Sequence, residues 1–171
     1  MRLNLFQKLA ASIGLVAIVV LFAGCPFSSV VPIDEGTVKV DDKLAGQWIS
    51  VADTETVNPT YFVITKEDNF HATAIKKEFS SSDSTYSETK YHLTFSDVKG
   101  ETFMNAMEDE GSTYSLYKFT YDEKSGKVNT SEVTDYIKET FSSSAELKAF
   151  IAKNKSNSYF YTNTSETYVR K

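Results

Sequence analysis

From Lys43 onward the chain breaks into short segments rich in Tyr, Phe, Thr, Val and Ile, punctuated by turn formers at intervals of roughly 8–12 residues. Few folds accept such a rhythm. Strands this short and this frequent close into an all-β sandwich or barrel, because each needs a neighbour on both edges. Strands are predicted near 44–51, 60–66, 70–79, 86–95, 102–107, 113–121, 127–137 and 164–170. The turns between them carry Lys66-Glu67-Asp68-Asn69, Ser80 to Thr85, Asp97-Val98-Lys99-Gly100, Asp109-Glu110-Gly111 and Asp122 to Gly126. The reading is an antiparallel up-and-down β-barrel of about eight strands.

Register follows from side-chain period. Folding 70–79 against 86–95 sets Phe70 opposite Phe95, Ala72 opposite Leu93 and Ala74 opposite Tyr91, all on one face. A three-residue loop at 67–69 then adds Ile64 opposite Ala72 and Phe62 opposite Ala74 on that same face. A slip of one residue would scatter the apolar set across both faces, so the agreement specifies the inside. Lys76 and Glu78 share this face and mark where the apolar stripe ends. On the other face His71, Thr73, Lys90, His92 and Thr94 form a polar set expected to meet solvent.

One short helix is predicted before the last strand. Ser143-Ser144-Ala145-Glu146 fits a capping box, and Leu147, Phe150 and Ile151 follow at helical spacing.

The first 24 residues differ in composition from the rest. Arg2 and Lys8 precede an apolar run from Leu9 to Phe22 that holds no charge. A membrane-spanning helix needs about 20 residues, whereas the core of a signal peptide is shorter. The only cysteine of the chain stands at the end of this run, in Leu21-Phe22-Ala23-Gly24-Cys25. That string resembles the lipobox of bacterial lipoproteins, with Phe22 where the family usually has Leu. The resemblance implies a signal peptide at 1–24, acylation of Cys25, and a domain held on a membrane of the bacterial envelope outside the cytoplasm. Two or more acyl chains suffice for stable attachment, so the domain itself needs no affinity for lipid. Residues 25–42, with two prolines, a serine pair and several acids, read as a tether that would span roughly 20–25 Å if flexible. Val30, Val31 and Ile33 could instead form a short strand.

Charge narrows the partners. Loss of residues 1–24 removes two positive charges and no negative ones, which moves the net charge from −5 to −7. An acidic domain has no electrostatic reason to bind nucleic acid or anionic headgroups.

Gly46-Gln47-Trp48 opens the domain that spans 43–171, and Arg170 stands near its end. The pair resembles the Gly-x-Trp motif and late Arg or Lys of the lipocalin-like (calycin-type) barrels. That resemblance implies Trp48 lying across a closed barrel end beneath Arg170. A cation over an indole face is worth about 0.5–2 kcal/mol, which gives the pairing a physical reason. The chain departs from the family in placing its helix after seven strands rather than eight.

Enzymatic chemistry finds little to stand on. Acylation consumes Cys25, and there is no Gly-x-Ser-x-Gly elbow, phosphate-binding glycine loop or zinc pattern. His71 and His92 fall as diagonal neighbours on the outer face, within reach of sharing a metal, and two ligands without a third make a weak, adventitious site at best. No catalytic residue, metal or cofactor is expected. Two functions remain. In one, the barrel holds a small apolar ligand lined by Phe62, Ile64, Phe70, Ala72, Ala74, Tyr91, Leu93 and Phe95, with the small alanines leaving space. In the other, the core is filled and the outer strands or loops bind a protein partner.

Overall fold

The computed structural model describes residues 27–134 and 136–171, without the side chains of Asn163 and Thr164. The predicted signal peptide and Cys25 lie outside the described residues.

Nine strands follow in chain order: β1 (Ser28–Ser29), β2 (Gly46–Ser50), β3 (Tyr61–Lys66), β4 (His71–Ser80), β5 (Thr85–Val98), β6 (Glu101–Glu108), β7 (Tyr114–Asp122), β8 (Lys127–Val133) and β9 (Tyr161–Arg170). Strands β2 to β9 each pair with the next in sequence, and β9 pairs back onto β2. The result is a closed antiparallel barrel of eight strands, consistent with a calycin-like barrel. One helix, α1 (Ser144–Asn154), precedes the last strand. Ser143 caps it by accepting from the Glu146 amide at 3.3 Å. Glu146 in turn accepts from the Ser142 amide and hydroxyl.

The β4–β5 ladder carries Ala72 opposite Leu93 and Ala74 opposite Tyr91. Between β3 and β4 the pairing differs from the sequence expectation by two residues: Ile64 faces Ala74, Phe62 faces Lys76 and Lys66 faces Ala72. The cause is the turn. Asp68 accepts from the amides of Phe70 and His71, and Lys66 pairs with Ala72, so two more residues than expected lie between the paired positions. A shift of two preserves the face, so Phe62 and Ile64 still point inward.

Two cores result. Inside the barrel pack Trp48, Ala72, Ala74, Leu93, Phe95, Phe119 and Val128, joined by Val40 and Leu44 from the segment before β2. Outside it, Val98, Phe103 and Leu116 on β5–β7 meet Leu147 and Ile151 of α1, together with Phe27, Ile33, Val133 and Phe160.

The outer core overturns the flexible-tether expectation for residues 27–42. Ile33 is 0% exposed, and its amide donates to Asn105 Oδ1 at 2.9 Å. Val40 donates to the Asn69 carbonyl, so the segment runs across the Trp48 end before entering β2. It also corrects the expectation that Thr94 and Thr73 meet solvent. Thr73 is buried, and Thr94 is half-buried and accepts from Asn105 Nδ2 at 3.1 Å. Strands β5–β7 carry apolar residues on both faces, and water on the outer one would cost about 25 cal/mol per Å² left uncovered.

Candidate functional site

The barrel has two ends of different character. At one end, β2 and β9 place Trp48 directly opposite Arg170. The guanidinium carbon stands 4.5 Å from the Trp48 ring centroid, and the indole N–H donates to the Leu44 carbonyl at 2.7 Å. Arg170 also donates to the carbonyls of Ala45, at 2.6 Å, and Lys43. Gly46 makes this possible. Its φ is +133°, and a Cβ there would overlap Arg170 Nη1. Glycine at this position therefore serves both a left-handed backbone and the room the guanidinium needs.

At the opposite end the inward side chains turn polar and aromatic. The change begins beside Trp48 itself, where its cross-strand partner Phe62 meets Tyr168 edge-on at 5.8 Å. Tyr117 hydrogen-bonds Glu132, and Tyr168 donates to Glu166. Burial, with the neighbouring carboxylates, pushes both tyrosine hydroxyls well above their ordinary range. Tyr91 moves the same way, first through burial and then through Glu108. Glu132 is raised by burial and by the charge of Glu166, against the hydrogen bond from Tyr117. Lys76 and Glu78, where the apolar stripe stops, form an ion pair at 2.7 Å.

The residues expected to line a ligand are thus divided. Ala72 is 1% exposed and Ala74 4%, both within the inner core with Leu93 and Phe95. Phe62, Ile64 and Tyr91 are half-buried against that core. Phe70 stands in the β3–β4 turn at the Trp48 end, where its Cβ and carbonyl approach Gly36.

A cavity of about 540 Å³ opens near the Trp48 end. It exists because the β6–β7 ladder stops at Phe103 and Lys118, while β7 continues beside β8 to Asp122. Where the two strands part, Phe95, Phe119 and Tyr121 form an apolar floor with Val38 and Leu44. Thr102 and Thr120 flank it, and Lys39, Asp41, Glu101, Lys118 and Glu123 make a charged rim. Burial alone would raise the Glu101 carboxyl. Lys155 at 2.9 Å and Lys118 at 3.0 Å outweigh that and hold it below its ordinary value. Lys39 is exposed and has no ion-pair partner among the described residues. Of the lining expected from sequence, Phe95 alone reaches this cavity.

The two histidines sit diagonally across β4 and β5, since Thr73 faces His92 and His71 faces Thr94. Each engages its own acid instead of a shared ion. His71 Nδ1 lies 2.8 Å from Asp68, and His92 Nε2 lies 2.5 Å from Asp109. Among the described residues no group of His, Cys, Asp and Glu could hold a metal. No family model, no curated protein and no solved structure matches this chain.

Proposed function

We propose that this chain is a lipid-anchored protein of a bacterial cell envelope that binds a small ligand with an apolar body. The observation that carries the binding reading is the cavity between β6 and β7. Its floor of Phe95, Phe119, Tyr121 and Leu44 offers aromatic and aliphatic contact, and its volume lies within the range of small-molecule sites. Its charged rim favours a ligand with a polar head, and Lys39 is the cation best placed to meet a negative one. The anchoring part rests on the lipobox string ending at Cys25.

Anilinonaphthalene sulfonate, an anionic aromatic amphiphile, is a suitable probe. It should bind with a fluorescence rise that Thr102→Phe abolishes and Lys39→Glu weakens. Native mass spectrometry of protein from its own host should show a copurifying small molecule that Thr102→Phe removes. Equal probe binding by wild type and Thr102→Phe, with nothing copurifying, would refute the reading. For the anchor, Cys25→Ala should abolish uptake of labelled palmitate and release the chain from membranes; retained label would refute it.

A second reading, an interaction module with a filled interior, draws support from Ala72 and Ala74. The space those alanines leave is taken up by the inner core, in which both are almost fully buried.

A further inference from the structure

The connections at the two barrel ends divide sharply by polarity. Those at the Trp48 end, joining β3 to β4, β5 to β6 and β7 to β8, consist largely of charged residues such as Asp68, Lys99 and Lys124. Among the described residues none of them exposes a large apolar side chain. Among the described residues the exposed large apolar side chains are Val30, Val51, Val57, Tyr86, Tyr136 and Tyr159. Val51 and Val57 lie on the β2–β3 connection, Tyr86 on the β4–β5 hairpin, and Tyr136 and Tyr159 on the connection from β8 to β9. Val30 follows β1, beside the start of β7. All these connections leave the barrel at the end away from Trp48, although the one from β8 to β9 reaches back to the Lys99 carbonyl through Lys155 before it comes to Tyr159. Scattered exposed apolar residues need no explanation, but the gathering of the other five toward one end does.

The anchor emerges from the same half. The Phe27 amide donates to the Val133 carbonyl at 3.1 Å, and β1, directly after it, pairs with Ser115 and Tyr114 at the start of β7. Only Pro26 stands between Phe27 and Cys25. Two residues reach at most about 7 Å between Cα atoms, so acyl chains on Cys25 would leave the domain almost no slack.

We propose that the domain lies with this end on the lipid surface, the loops bearing Val57 and Tyr136 among the headgroups. The proposal rests on acylation of Cys25. Tyrosine suits the interface, with an apolar ring and a wet hydroxyl. Glu55, Asp83, Glu108 and Glu110 are exposed on or beside these connections, which selects a zwitterionic surface over an anionic one. The cavity between β6 and β7 then faces water.

The full chain, expressed in a bacterial host so that Cys25 is consumed by acylation, would carry one added cysteine: Val57→Cys, Tyr136→Cys or Lys124→Cys. Each would be labelled with a fluorophore and reconstituted in phosphatidylcholine vesicles containing nitroxide lipid. Quenching should be several-fold stronger at positions 57 and 136 than at 124. Equal quenching at 124, or none at any position in acylated, vesicle-bound protein, would overturn the orientation alone. Mass analysis of the N-terminal peptide separates that result from an unmodified Cys25, which would remove the anchor reading and this inference with it.

Discussion

Replacing Gly46 with alanine should be far more harmful than its single added methyl suggests. The backbone at φ +133° suits glycine, and holding alanine there costs about 1–3 kcal/mol. The new Cβ also overlaps Arg170 Nη1, and the relief available is withdrawal of the guanidinium. That forfeits its place over Trp48, about 0.5–1 kcal/mol at an exposed site. It also forfeits the bonds to Ala45 and Lys43, which we discount for exposure to about 0.5–1 kcal/mol each. Together these give about 4 kcal/mol, or about 10 °C in Tm for a chain of this size. Urea denaturation can follow Trp48, the only tryptophan, by its fluorescence. In an Arg170→Ala background the collision is gone, and Gly46→Ala should cost only the backbone part. The two changes should therefore be less than additive by about 1.5–3 kcal/mol. An equal cost in both backgrounds, or a total below about 0.5 kcal/mol, would refute the reasoning.

Leu93→Lys should be severe, costing several kcal/mol for an unpaired ammonium in the inner core, whereas Thr65→Lys, exposed on the outer face of β3, should change the urea midpoint little. Asn105→Ala should cost about 1–3 kcal/mol by orphaning the buried Ile33 amide, with hydrogen exchange at Ile33 speeding up before that of β5 and β6. Burial would raise the Asp34 carboxyl, but hydrogen bonds from Lys148, Ser96 and the Gly36 amide hold it below its ordinary value. A depressed folded pKa contributes stability that is present above the unfolded value, near 4, and lost as pH falls through the folded one. The stability gap between wild type and Asp34→Asn should thus be full at pH 7 and shrink at pH 3; a gap independent of pH would refute the ion-pair account.

The barrel was legible in the sequence because its strands alternate. Ala72, Ala74, Leu93 and Phe95 fall on one face at period two, and a slip of one residue would scatter them. Turn detail was less legible, because the two amide bonds to Asp68 set the β3–β4 loop length and hydrophobic pattern does not encode them. The docked N-terminal segment was hidden by its prolines and serines, although a signal existed. Val98, Phe103 and Leu116 stand on the outer parity of β5–β7, and three large apolar residues there demand a cover. The cavity could not be foreseen, since it depends on where the β6–β7 ladder ends rather than on which residues form it.

The two-residue strand β1 has a consequence for self-association. Strand β8 begins pairing with β7 at Tyr117, which would leave the backbone of Tyr114 and Ser115 unclaimed on that side. Ser28 and Ser29 occupy this place, so this stretch of open edge is plugged from within the same chain. A chain trimmed to begin after Ile33 would bare that edge beside the apolar patch of Val98, Phe103 and Leu116. An unpaired edge next to an uncovered apolar surface is a template for another strand. The nearest source at high concentration is the intact N-terminal segment of a neighbouring molecule. Proteolytic trimming near residue 33 would therefore convert a self-contained barrel into one that trades straps with its untrimmed copies.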